Sequence, residues 1–127
     1  MKGDFKKAKD ISVRTKLAVL ERQKNKSISG VSLYGKTVEF HHVMPRGSSG
    51  VGYEWNIVAI TADEHRQLTD KKEITVNGRN RYSWKEFDIL CRNHLKLHYD
   101  HWSYEKCKYQ KGFEEEDYGV TRNESNW

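Results

Sequence analysis

The side chains of this chain best equipped for chemistry lie between Val38 and Asp70. They are a histidine pair, His41-His42, an asparagine fourteen residues after His42, Asn56, and a histidine nine residues further on, His65. Imidazole ligates divalent metals and, with an ordinary pKa of about 6.5, takes a proton from water at neutral pH. Hydrolysis of a phosphodiester needs those abilities together: an activated water, positive charge on the phosphate, and help for the departing 3′ oxygen. One divalent ion supplies the last two. Two imidazoles as metal ligands, with a third standing beside the metal as a base, would form such an apparatus. Successive residues of a strand point to opposite sides, so His41 and His42 cannot be two equivalent ligands.

The surrounding sequence predicts the elements that must position these groups. A β-prone run, Thr37 to His42, precedes the loop made by Gly47, Ser48, Ser49, Gly50 and Gly52. Asn56 to Ile60 reads as a second strand, and Ala62 to Leu68 as a helix carrying His65. Upstream, residues 1–11 read as a basic, disordered arm. Ser12 then caps a helix on which Val13, Leu17 and Leu20 share a face, and Val31 to Tyr34 is a short β-prone piece. Downstream, EITV and RNRY flank Asn77-Gly78, a hairpin signal. Ser83-Trp84-Lys85-Glu86 is a capping box that opens a helix running to about Tyr99. Trp84, Phe87, Leu90, Cys91, Leu95 and His98 fall on one stripe of that helix. The expected class is α+β. A single domain over 12–110 holds a core motif at 36–70, an N-terminal helix and a C-terminal hairpin-helix extension, followed by a mobile acidic tail at 111–127.

Length and composition bound the partners. A chain of 127 residues suits one small core, and its 12% aromatic content supplies large side chains for it. No apolar run approaches the ~18 residues of a membrane span and no secretory leader is visible, so the expectation is a soluble, intracellular protein with no membrane partner. Cys91 and Cys107 are too few and too far apart for a disulfide framework, which fits a reducing compartment. Net charge is +5, unevenly spread. Met1 to Lys26 holds nine Lys/Arg against three Asp/Glu, whereas Gly112 to Trp127 holds five acids against one arginine. A basic arm ahead of a candidate metal site is the electrostatic footprint of a nucleic-acid partner. Arg46 is placed to contact a phosphate flanking the cut, and the loop glycines would let the backbone approach DNA. Lys6, Lys7, Lys9, Arg14, Lys71, Lys72, Arg79 and Arg81 could track the DNA backbone without reading its sequence.

The order strand, His41-His42, glycine-rich loop, Asn56, strand, helix with His65 resembles the HNH endonuclease family, whose core is a ββα-metal fold. The match covers Lys36 to Asp70. The resemblance implies that His41 and His65 bind one divalent metal ion and that His42 is the general base. It implies that Asn56 braces the loop and so orients the base. It further implies metal-dependent endonucleolytic hydrolysis of DNA, by nicking or double-strand cleavage, leaving 5′-phosphate and 3′-hydroxyl ends. The run NHLKLHYDHWSYEKCKYQK (residues 93–111) looks like the C-terminal segment of small phage-encoded members, with Asp100 where a proline is common. That similarity suggests a phage or prophage source, the host cytoplasm as location, packaging machinery among the partners, and a monomer or weak dimer.

One departure from the family pattern is informative. Many members frame the motif with two cysteine pairs around a structural zinc, and here those positions fall near Lys26, Ser29, Thr61 and Glu64. No structural zinc of that type is expected, and packing of Leu17, Leu20, Val38, Phe40, Ile57, Val58, Ile60 and Leu68 must hold the core. A site of two imidazoles suits Mn²⁺, Ni²⁺, Co²⁺ or Zn²⁺ better than Mg²⁺, which prefers oxygen ligands. A second set, Cys91, His94, His98, His101 and Cys107, has metal-binding residue types, but its flanking leucines argue for a packed helix. Two other classes stand beside the nuclease: a catalytically silent DNA-binding module on the same fold, and a phage protein-interaction module using Trp102, Tyr104, Tyr109 and Phe113.

Overall fold

The structure, a computed structural model, describes residues 4–127. It is a small mixed α+β domain with, among the described residues, three short antiparallel two-stranded sheets. Two helices come first, α1 (Asp4–Lys9) and α2 (Val13–Arg22). Strand β1 (Val38–His42) pairs antiparallel with β2 (Ile57–Thr61), His41 opposite Val58 and His42 opposite Ile57. Helix α3 (Ala62–Thr69) follows directly and packs on both strands. The hairpin of β3 (Ile74–Val76) and β4 (Arg79–Tyr82) leads into α4 (Trp84–His98). Finally β5 (Tyr99–Asp100) pairs with β6 (Thr121–Arg122). Among the described residues, no helix is long and apolar enough to cross a membrane.

Local chemistry explains the boundaries. Ser12 caps α2 by accepting from the Thr15 amide at 3.1 Å. Both Thr61/Glu64 and Ser83/Glu86 form complete capping boxes at the starts of α3 and α4. Asn77 and Gly78 both have positive φ, 51° and 79°, as a tight two-residue hairpin turn requires. The larger core gathers Val58, Ile60, Leu68, Ile74, Phe87, Cys91 and Leu95 between the β1–β2 sheet, α3 and α4. A smaller cluster of Val19, Leu33, Ile57 and Ala59 lies on the other face of β2, where α2 packs. Because β2 is covered on both faces, its run reads as continuously apolar rather than alternating.

Three expectations from the sequence are corrected. Residues 4–9 form a helix rather than part of a disordered arm; residues 1–3 lie outside the described residues. The α1 helix is held by burial of Ala8, by the Phe5 ring standing edge-on to Tyr109 at 4.7 Å, and by the Gly52 amide donating to the Ala8 carbonyl. The acidic tail is likewise folded back: Tyr118 is buried in the larger core, Arg122 pairs with Glu54, and the Trp127 indole donates to the His98 carbonyl. Apolar and aromatic residues spaced among the acids supply that anchorage. Leu17 is 63% exposed and Val13 72%, so neither belongs to the core. The buried face of α2 is instead Thr15, Val19 and Arg22, with Leu20 partly buried at its edge.

Three of the four positions that would carry zinc cysteines in the resembled family, Ser29, Thr61 and Glu64, join Ser27 in a polar hub instead. The Glu64 carboxylate, 2% exposed, accepts from the hydroxyls of Ser27 and Ser29, both at 2.5 Å, and from the Thr61 amide at 2.9 Å. One carboxylate thereby ties the turn after α2 to the start of α3. Packing is not the sole restraint there. A charged acceptor with three donors also holds the two segments together.

Candidate metal and catalytic site

Strand β1 and helix α3 bring His41 and His65 together: their ring centroids are 5.2 Å apart and their planes are inclined at 66°. Two imidazoles bound to one tetrahedral ion, with metal–nitrogen distances of about 2.0–2.1 Å, place their centroids roughly 5 Å apart. The spacing of the pair is one that a shared divalent cation would allow. Burial, then the neighbouring rings of His65 and His42, holds the His41 pKa down at about 3. At neutral pH the ring is uncharged and its lone pair is available to a metal.

His65 is oriented from behind. Its Nδ1 lies 2.6 Å from the Glu39 carboxylate, so Nδ1–H donates there and Nε2 is the nitrogen that could ligate a metal. A carboxylate fixing the tautomer of a ligand histidine also raises the basicity of that ligand. Glu39 was not among the candidates from sequence. The signal available was its position two residues before His41 on the same strand, which places both side chains on one face.

His42 is held by a different contact. Its Nε2 lies 2.8 Å from the carbonyl oxygen of Lys9 at the end of α1, so Nε2–H donates and Nδ1 keeps the lone pair. Burial lowers the His42 pKa despite the opposing effect of that carbonyl. The ring is thus neutral at pH 7 and oriented by the very segment expected to be a loose arm. Gly52 makes this docking possible: a Cβ there would lie 2.2 Å from the Asp10 carbonyl oxygen. Gly50 is constrained in the same way, its Cβ falling 1.8 Å from the Met44 carbonyl oxygen. These two glycines serve close approaches within the chain, not the approach of DNA. Only Gly47, with open space around it, remains free for that.

Asn56 stands behind the site rather than in it. Fully buried, it accepts from the Met44 amide at 2.7 Å and donates to the carbonyls of Met44 and Val51 at 3.1 and 2.8 Å. It clasps the two ends of the loop that follows His42. Its hydrogen bonds brace that loop.

The remaining predicted residues divide. Arg46 and Lys71 line the same cleft as His41, His42 and His65. The Arg46 guanidinium is already engaged, however, by the Asp10 carboxylate at 2.6 Å and the Lys9 carbonyl at 3.1 Å. Lys6, Lys7 and Lys72 are exposed, while Lys9 is partly buried with its ammonium 4.0 Å from the Phe5 ring centroid. Arg79 and Arg81 line a separate groove with Ser29 and Tyr82, and Arg14 lies by Glu54 and Glu115. These residues do not form one continuous basic track with the histidines.

The second cysteine and histidine set is dispersed into packing. Cys91 is buried in the larger core, and the Cys107 thiol, its pKa raised to about 12 by burial, faces the Trp55 carbonyl at 3.6 Å. His94 accepts from Arg22, His98 donates to the His94 carbonyl, and His101 is exposed in a left-handed turn. Among the described residues, no three or more His, Cys, Asp or Glu side chains converge as a metal cage. Compared with family models, curated proteins and solved structures, the chain matches none.

Proposed function

We propose that this chain is a metal-dependent DNA endonuclease of the ββα-metal type, with His41 and His65 as metal ligands and His42 as general base. The observation that carries the reading is the division of labour among three neighbouring imidazoles. Two are paired at a spacing suited to one cation, and the third donates to the Lys9 carbonyl instead. A bound Mn²⁺ or comparable ion would supply Lewis-acid stabilisation of the phosphate and the leaving 3′ oxygen.

The rest falls to this chain's own side chains. His42 Nδ1 takes the proton from the attacking water, and the imidazolium that forms keeps its Nε2–H bond to Lys9. Glu39 holds His65 in the ligating tautomer. Asn56 holds the loop so that His42 does not drift from its place. One such site cuts one strand at a time, so nicking is the elementary event.

Incubation of the protein with supercoiled plasmid and Mn²⁺ tests the proposal. Nicking should occur and should fall by about 10²–10⁴-fold in His42→Ala. Mn²⁺ binding, measured by calorimetry, should be retained in that variant. Two nitrogen ligands also predict higher rates with Mn²⁺ or Ni²⁺ than with Mg²⁺. Absence of cleavage on any DNA across these metals would leave a silent binding module as the better reading.

A further inference from the structure

The cleft that contains the histidine pair does not end at it. It extends, over a volume of about 510 Å³, to Trp84 at the start of α4 and Tyr104 in the short 3-10 helix Tyr104–Cys107. Both rings are partly buried and pack against the larger core, so they are fixed rather than swinging in solvent. Cations already lie over both rings, so a planar ligand would stack on a cation–ring layer or on the ring face left open, with Lys85 also 5.5 Å from the Trp84 centroid. The Arg92 guanidinium lies 3.8 Å from the Tyr104 ring centroid and is steadied by Asp88 at 2.9 Å. The Lys71 ammonium lies 5.3 Å from the Trp84 centroid. With Arg46 at the other end, three cations face one acid, Asp88, along the lining.

A concave, mainly apolar wall bearing two fixed aromatic rings does nothing for the backbone of a duplex, whose bases keep their faces inside the stack. It suits a ligand that offers a flat π-face and a negative charge at once. Bases stack on aromatic rings and on guanidinium planes, and a phosphate meets the cations. The volume lies within the range of small-ligand sites. We propose that this extension is a subsite for an unpaired nucleotide, and that the substrate class is single-stranded DNA or the single-stranded part of a flap or overhang. The assignment of the substrate rests on the nuclease reading; binding of the nucleotide does not.

The test uses the full chain in EDTA, so that binding is measured without cleavage. Fluorescein-labelled dT12 and a duplex of equal length are titrated by anisotropy at fixed salt. Single strands are expected to bind at least severalfold tighter than the duplex. Trp84→Leu and Tyr104→Leu, which keep apolar volume but lose the stacking face, are expected to weaken dT12 binding about tenfold and duplex binding less than twofold. Equal or tighter duplex binding, or unchanged dT12 affinity in both variants, overturns the subsite. If either variant melts early, Lys71→Gln on the exposed turn after α3 reads the same contact without touching the core. It should lower the slope of log affinity against log salt by about one for dT12, and an unchanged slope counts against the proposal. A protein that nicks duplex plasmid yet shows no preference for dT12 loses the subsite and keeps the nuclease reading. One that prefers dT12 but cuts nothing does the reverse.

Discussion

Two pairs of imidazoles lie close together in this molecule, and their nitrogens are used differently. In the α4 pair, His94 and His98 have centroids 4.1 Å apart and rings inclined at 35°. His94 Nε2 accepts from the Arg22 guanidinium at 2.8 Å, and His98 Nδ1–H donates to the His94 carbonyl at 2.7 Å. Arg22 is 2% exposed and also reaches the carbonyls of Glu54 and Ile57, the Tyr99 hydroxyl and the Gln23 side chain. That pair belongs to a buried polar hub joining α2, β2 and α4. At the β1–α3 pair, Glu39 holds His65 from behind and the Lys9 carbonyl holds the neighbouring His42, while His41 is packed edge-on against the His65 ring. Proximity of two histidines is common to both. What distinguishes a candidate site from a strut is whether the rings line a cleft or are hydrogen-bonded into a buried hub.

The comparison can be broken most severely at the strut. Arg22→Met leaves the His94 nitrogen, the Tyr99 hydroxyl and two carbonyls without their donor, and should cost about 3 kcal/mol or more in urea unfolding. Nicking per folded molecule should be unchanged. A loss below about 1 kcal/mol would mean that the hub is not what holds α2 to the sheet.

Acid separates the two pairs more gently. Burial holds His94 at about 2 and His41 at about 3, whereas both titrate at about 6.5 in the unfolded chain. Their folded pKa values are depressed, so the unfolded state binds protons first. Stability should be full above pH 6.5 and fall as pH drops below it, by up to about 1.4 kcal/mol per pH unit for each group. His94→Gln should flatten that fall without altering metal affinity. Saturating Mn²⁺ should raise the melting temperature of wild type at pH 7, and His41→Ala should abolish that gain.

At the candidate site, Glu39→Gln removes the carboxylate behind His65 and should weaken Mn²⁺ binding about 10–100-fold by calorimetry, with folding intact. An unaltered Mn²⁺ affinity would reduce Glu39 to a surface neighbour. The smallest effect expected is at Leu17, which the helical spacing of the sequence places in the core. Leu17→Ser should change stability by no more than about 0.5 kcal/mol, since the side chain is 63% exposed.

Several local features were legible in the chain. Ser83 and Glu86 cap α4, Asn77-Gly78 turns the β3–β4 hairpin, and the strand–loop–strand–helix order around His41, His42, Asn56 and His65 is that of the structure. Each depends on interactions within a few residues, where spacing and residue type suffice. Periodicity picks out the apolar residues of α2, whereas its buried stripe contains Thr15 and an arginine whose donors are satisfied mainly by distant segments. In sequence Glu64 is only a position lacking a cysteine; its role emerges from Ser27 and Ser29, more than thirty residues away.

By itself, then, the sequence determined where the imidazole side chains fall along this protein, and the order of elements that carries them. Tertiary structure alone decided which of six histidines face a cleft, that α1 closes over His42 through a main-chain carbonyl, and that the acidic end is folded back onto α4 and β5. The reason is physical. Caps and turns are short-range and written in adjacent residues, but a main-chain carbonyl is chemically the same at every position, and only the packed fold selects the one that meets a given imidazole.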